Sequence, residues 1–259
     1  MDRASFFSVQ PCYSERVMGV FVIVPAAGIG TRMSTAASNG AGSGSAAPKQ
    51  FLSIGGLPIL IHSLRAFLAV ERVKGIYVAV RGVEMDRVKA QVAEFGLGDR
   101  VHVVEGGENR QDSVAKALAA LEAQADDVVL VHDAVRPLID VAIIERTIDA
   151  VLEHGAAIVG LPAVDTIKQV ERTAHGAIIS STIPRERVVY AQTPQGAKFG
   201  LLKRAFAEAA ADEFLGTDEA SLLERAGVQV SVVVGSAKNF KITQPGDLEL
   251  AEFYLAGAR

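Results

Sequence analysis

Val20-Phe21-Val22-Ile23-Val24-Pro25-Ala26-Ala27-Gly28-Ile29-Gly30-Thr31-Arg32 is the stretch that decides the fold: an apolar strand runs straight into a loop containing glycines. Gly28 and Gly30 let the backbone approach a ligand closely, and successive N–H groups there can cradle phosphate oxygens. The position agrees, because open α/β sheets bind ligands beyond the carboxyl ends of their strands. Taken alone, a Gly-x-Gly turn is equally well explained as a tight turn. A dinucleotide-binding fingerprint needs a third glycine at position 33, where Met33 stands, and the lysine of a P-loop is missing.

Outward from this strand, short apolar runs alternate with segments of helical period, and several helices close on a glycine just before the next strand, as at Gly155 and Gly227. Strands are expected near Val20–Val24, Ile76–Val80, Val101–Val104, Val128–Val131, Ala157–Leu161 and Val230–Val234. Helices are expected near Ile59–Ala69, Met85–Phe95, Asp112–Ala123, Ala142–Glu153, Phe199–Ala211, Asp218–Ala226 and Asp247–Leu255. The alternation predicts an α/β fold, a Rossmann-like and mainly parallel sheet with helices on both faces. The segment from about 165 to 192 breaks the pattern: Thr166–Val170, a turn at His175-Gly176, Ala177–Ile179 and Val188–Tyr190 leave no room for a helix. They predict a protruding antiparallel β-arm, which usually packs on something else.

The chain has 259 residues, enough to bury one large core, with 49% hydrophobic and 22% charged residues, a soluble globular balance. Residues 18–259 read as a single domain and residues 1–17 as a disordered extension without the apolar core of a signal peptide, Met18 being an alternative start. No apolar run approaches a membrane span, so no membrane partner is expected. The single cysteine, Cys12, excludes an intramolecular disulfide framework, and a cytoplasmic location follows. A net charge of −4 argues against nucleic acid as a partner; any polyanion must meet a local basic cluster.

Such a cluster is legible. Pro48-Lys49-Gln50 follows a Ser-, Gly-, Ala- and Asn-rich loop, Ser34–Ala47, so Arg32 and Lys49 flank one mobile segment and can converge on one triphosphate. Val131-His132-Asp133-Ala134-Val135-Arg136-Pro137 ends the fourth strand, and a carboxylate there suits Mg²⁺, which takes one or two carboxylates with phosphate oxygens and water. The plain alternatives are that Asp133 turns the chain, that Arg136 pairs with it, and that His132 is structural.

With Gly106-Gly107, Arg110, Ser113-Val114, Asp165-Thr166, Gln192-Thr193-Pro194-Gln195, Thr217-Asp218-Glu219-Ala220-Ser221 and Asn239-x-Lys241-x-Thr243, the ordered series closely resembles the 2-C-methyl-D-erythritol 4-phosphate cytidylyltransferases from Val20 to about Leu255. The resemblance implies a single nucleotidyltransferase domain whose partners are CTP and a polyol phosphate. It implies Arg32 and Lys49 as catalytic groups at the α-phosphate and Mg²⁺, or another divalent cation, near Asp133. Pro25, Ala26, Ala27, Gly28, Gly30, Gly107, Ser113, Asp133 and Ala134 would hold the nucleotide, and Arg136, Thr166, Arg185, Thr217 and Lys241 the acceptor. The family also uses the arm to clasp a second subunit, which implies a homodimer with Arg185 reaching the partner's site. Glu108-Asn109 stands where the family commonly has Asp-Glu, and Ser34–Ala47 is longer than usual. A ribitol 5-phosphate cytidylyltransferase shares His-Asp-Ala-Val-Arg-Pro and Gln-Thr-Pro-Gln and is the nearest rival; a non-catalytic nucleotide-binding module is a remoter one. For Thr217-Asp218-Glu219 the plain reading is a helix cap with acidic first-turn residues.

Overall fold

Along Val20–Pro25, Val20, Val22 and Val24 enter one hydrophobic core and Ile23 another, so alternation along the strand buries both faces. A computed structural model of the chain describes residues 18–28 and 48–257. The expected N-terminal extension, Gly30, Arg32 and the Ser34–Ala47 loop lie outside the described residues.

The elements follow in the order β1 (Val20–Pro25), β2 (Ser53–Ile54), β3 (Leu57–Pro58), α1 (Ile59–Leu68), β4 (Val73–Val80), α2 (Met85–Glu94), β5 (Val101–Glu105), α3 (Arg110–Ala119), β6 (Val128–Val131), α4 (Val141–His154), β7 (Ala156–Pro162), β8 (Ile167–Thr173), β9 (Gly176–Ile183), β10 (Val189–Lys198), α5 (Phe199–Ala211), α6 (Glu219–Arg225), β11 (Ser231–Val234) and α7 (Pro245–Ala256). Seven strands form one sheet in the order β11-β7-β10-β6-β1-β4-β5. β1 pairs in parallel with β4 and β6, β4 with β5, and β7 with β11; β10 runs antiparallel between β6 and β7. The sheet is thus mainly parallel.

Helices α1, α2 and α4 cover one face through Leu60, Leu64, Phe67, Val88, Ile144 and Ile148. Helices α3, α5 and α6 cover the other through Val114, Leu118, Leu202, Phe206, Leu222 and Leu223. Each such side chain taken fully out of water contributes roughly 1.5–3 kcal/mol, which is why the apolar stripes fix the layers. A small third cluster, Ile54, Ile59, Ile242 and Ala251, seats α7 beside the β2–β3 hairpin.

Two expectations need correction. The arm is shorter than residues 165–192: only β8 and β9 form the separate hairpin, and Val189 begins a strand of the main sheet. The run at Val188–Tyr190 continues to Lys198 without an apolar pattern, because Gln192, Thr193 and Gln195 are polar yet buried, satisfied by hydrogen bonds rather than by apolar packing. Helix α3 starts at Arg110, two residues early, because the Asn109 side chain caps it by accepting from the Asp112 N–H at 2.9 Å.

Candidate active site

A cavity of about 610 Å³ opens at the carboxyl ends of β1, β4, β5 and β6. The chain runs from β1 to β4 on one side and returns to β6 on the other, so the strand order reverses at β1, where α/β sheets leave a crevice.

The crevice floor is backbone. Ala26 N–H donates to the Ala79 carbonyl at 2.7 Å and Gly106 N–H to the Val80 carbonyl at 2.6 Å, tying the loops after β1 and β5 to the end of β4. The buried Gln50 amide donates to the carbonyls of Ala26 at 2.6 Å and Gly28 at 3.3 Å, holding the start of the glycine loop. At Gly107 a Cβ would lie 2.2 Å from Cβ of Asp112, so no side chain fits. Its N–H donates to Ser113 Oγ at 3.0 Å, and the Ser113 hydroxyl donates to the Asn109 carbonyl at 2.8 Å. These internal bonds spend the N–H groups of Ala26, Gly106 and Gly107 and the Ser113 proton, so they fix the shape of this end of the pocket and leave Ser113 Oγ to act toward a ligand as an acceptor.

Cations gather around one carboxylate. Asp133 accepts from Arg110 Nε at 3.1 Å and Lys241 Nζ at 3.0 Å, with Arg136 Nε at 3.6 Å. Burial by itself would raise the Asp133 carboxyl; Arg110, Lys241 and Arg136 outweigh it and hold the group well below the usual carboxylate range. Arg110 also grips Glu219 with two bonds, Nη1 to Oε1 at 2.7 Å and Nη2 to Oε2 at 2.8 Å. Burial works against the Arg110 charge, but Glu219 and Asp133 more than offset it and keep the guanidinium firmly protonated. Lys49, buried in a 3-10 turn, donates to the Thr243 carbonyl. Lys241 reaches Asp133 because its loop docks on the β6 end: Ile242 N–H donates to the Val135 carbonyl at 2.9 Å and Asn239 Nδ2 to the Thr193 carbonyl at 2.7 Å.

His132 lies behind this wall, fully buried and edge-on to Phe67. Its Nε2 donates to the Arg136 carbonyl at 3.0 Å, so Nδ1 accepts from the Thr193 hydroxyl at 3.0 Å, which in turn accepts from the Asp133 N–H at 3.1 Å. Burial lowers its pKa to about 4 despite the Arg136 carbonyl and Asp133. A neutral imidazole bonded on both nitrogens has no free atom for catalysis.

The cavity brings together Pro25, Ala26, Ala27, Gly28, Lys49, Gly107, Ser113, Asp133, Ala134 and Lys241. It does not include Arg136, which donates to the Asn239 carbonyl behind the wall at 2.7 Å, nor the exposed Thr166, Arg185 and Thr217. Arg185 donates to the Val164 carbonyl at 2.7 Å at the foot of the arm. Among the wall residues that carried no role from sequence are Gln50 and Arg110, which stood only as members of motifs, and Arg81, directly after β4. For Arg110 the signal was its place three residues before Ser113, on the same helical face. Glu108 and Asn109 both line the cavity, the Asn109 side chain being committed to its cap.

Among the described residues no three His, Cys, Asp or Glu side chains converge as a metal cage. Asp133 nevertheless fits a Mg²⁺ that takes most ligands from phosphate and water: a carboxylate offers about four lone-pair sites, and Arg110 and Lys241 use one each.

A family model described as 2-C-methyl-D-erythritol 4-phosphate cytidylyltransferase matches residues 20–257. Among curated proteins, the one of that name from Acidobacterium capsulatum is 66% identical over 92% of this chain and 98% of its own length. Its namesake from Solibacter usitatus is 50% identical over 92% and 96%. Among solved structures, 4-diphosphocytidyl-2C-methyl-D-erythritol synthase from Anaerococcus prevotii is similar with a TM-score of 0.77 at 26% identity, covering 93% of this chain and 97% of that one. The Francisella tularensis cytidylyltransferase gives a TM-score of 0.74 at 33% identity, covering 91% and 99%.

Proposed function

This chain belongs to the 2-C-methyl-D-erythritol 4-phosphate cytidylyltransferase family, and on that premise we propose how its residues carry the reaction. The enzyme transfers CMP from CTP to 2-C-methyl-D-erythritol 4-phosphate, giving 4-diphosphocytidyl-2-C-methyl-D-erythritol and pyrophosphate in non-mevalonate isoprenoid biosynthesis. An oxygen of the acceptor's phosphate forms a bond to the α-phosphorus of CTP as the α–β bridging bond breaks, and pyrophosphate leaves with that electron pair. A phosphate monoester has its second pKa near ~6, so the nucleophile arrives ionised and no general base is required. A blocked, neutral His132 agrees with that.

The chemistry demands cations that bring two polyanions together and stabilise charge on a five-coordinate phosphorus, where one preorganised donor can supply roughly 3–4 kcal/mol. Arg32 and Lys49 take this role. Backbone groups of Pro25–Gly28 and Gly107, with Ser113 and Ala134, hold the cytidine end; Lys241 and Thr217 serve the acceptor, and Arg136, behind the wall, acts only through Asp133. Mg²⁺, or another divalent cation, would be held by Asp133 with triphosphate oxygens and water, and supplies charge neutralisation there. The observation that supports this reading above all is one crevice joining the Pro25–Gly28 and Gly107 backbone, Ser113, Lys49 and the Arg110–Asp133–Lys241 cluster.

The β8–β9 hairpin supports a homodimer. A lone two-stranded hairpin is marginal in water, and this one exposes Val170, Ile178 at 66% and Ile179 at 59%. A second copy covering it would bring Thr166 and Arg185 of one protomer to the crevice of the other. No described helix is long and apolar enough to cross a membrane; a cytosolic nucleotide as substrate is what supports a cytoplasmic location.

The test is pyrophosphate release by purified protein with CTP and Mg²⁺. Release with 2-C-methyl-D-erythritol 4-phosphate and not with ribitol 5-phosphate is expected. Preference for ribitol 5-phosphate selects the rival, and no release with any acceptor leaves a binding module.

A further inference from the structure

We propose that Glu219 is a positioning residue for the transfer: it clamps Arg110 so that this guanidinium holds Asp133 beside Lys241 in the cavity wall. The inference rests on reading the crevice as the site of CMP transfer. Glu219 is the first residue of α6 and is 1% exposed, yet both its oxygens are spent on Arg110 at 2.7 and 2.8 Å. The end-on grip leaves only Nε of the guanidinium facing Asp133 Oδ1, at 3.1 Å, while Lys241 takes Oδ2 at 3.0 Å. One planar group therefore carries the direction of a buried carboxylate to a carboxylate that faces ligand.

A structural account of the pair falls short. The loop before α6 is already stapled to α3 without it, by Gln111 Nε2 donating to the Phe214 carbonyl at 3.0 Å and Gly216 N–H donating to Gln111 Oε1 at 2.8 Å. The start of α6 is separately fixed to β10 by Gln195, which donates to Asp218 Oδ2 at 2.9 Å and accepts from the Ala220 N–H at 3.0 Å. A buried ion pair roughly breaks even against its desolvation, so it is poorly explained as glue. It is well explained as a constraint: without the Glu219 charge, Arg110 is released to take both oxygens of Asp133 or to swing toward the triphosphate, and Lys241 loses its fixed partner. Glu219 also follows directly on Thr217 and Asp218, so the clamp couples the acceptor-side loop to Asp133.

The experiment compares full-length wild type, Glu219→Gln, Arg110→Lys and the double variant. It uses pyrophosphate-release kinetics with CTP, Mg²⁺ and methylerythritol phosphate, calorimetric CTP binding, and circular dichroism at the assay temperature. Glu219→Gln is expected to lower kcat about tenfold or more, ~1.4 kcal/mol per tenfold, with CTP affinity within roughly threefold of wild type. Arg110→Lys, which cannot bridge three ways, is expected to match it, and the double variant to be no worse than Arg110→Lys alone, because one acts through the other. A folded Glu219→Gln with kcat within roughly twofold of wild type overturns the clamp, as do losses that multiply in the double variant. If Glu219→Gln does not fold, Arg110→Lys with wild-type kcat overturns it. Wild type inactive with every polyol phosphate overturns the underlying reading and the clamp with it.

Discussion

His132 sits next to the functional carboxylate and does no chemistry, and its stability signature separates the two residues. Its ordinary pKa is 6.5 and burial lowers it to about 4, so between those values the unfolded chain binds a proton that the folded chain refuses. Stability is therefore whole above about pH 6.5 and declines as pH falls toward about 4, by on the order of 3 kcal/mol. Asp133, facing Arg110, Lys241 and Arg136, is held well below the usual carboxylate range and titrates beneath that window. Urea unfolding in nucleotide-free, metal-free buffer is expected to show the decline in wild type and a much flatter profile in His132→Asn. An equal decline in the variant would contradict the assignment. At the same scale the sequence named Asp133 and its contiguous neighbour Arg136 but not the Arg110–Glu219 pair behind them, which meets only across 109 positions.

Two elements carry separable roles. At the start of α6, Asp218 forms a capping box with Ser221, its Oδ1 accepting the Ser221 N–H at 3.0 Å, which is the plain reading of Thr217-Asp218-Glu219. Asp218→Ala is expected to cost about 1 kcal/mol by chemical unfolding. It also removes an oxygen bonded to Gln195, so a smaller loss than an ordinary cap would show that Gln195 finds another partner. The β8–β9 arm is expected to behave oppositely: Ile178→Asp with Ile179→Asp leaves the main sheet intact but yields a monomer by light scattering. CTP binding survives in that variant and the KM for the polyol phosphate rises. A stable dimer with unchanged KM would remove the arm from the site.

For the whole molecule, an acidic chain of net charge −4 concentrates Lys49, Arg110 and Lys241 at one crevice. Raising salt from about 0.1 M to about 1 M shrinks the Debye length from ~10 to ~3 Å, and kcat/KM for CTP is expected to fall by roughly tenfold, with a smaller change in kcat. Insensitivity would place the recognition in hydrogen bonds rather than charge. The sequence by itself determined the layers, because Val20–Val24 and its fellow strands are short apolar runs and the helices bury apolar residues with period 3.6, both local properties. It also determined the chemical class, since Lys49, Ser113, Asp133 and Lys241 recur in an ordered series of motifs. Only tertiary structure decided that β10 crosses the sheet antiparallel, because polar Gln192, Thr193 and Gln195 become tolerable in a core only through partners distant in sequence. The Glu219–Arg110–Asp133–Lys241 chain was decided the same way: a charge network is set by distances between elements, and no spacing along one helix or strand encodes it.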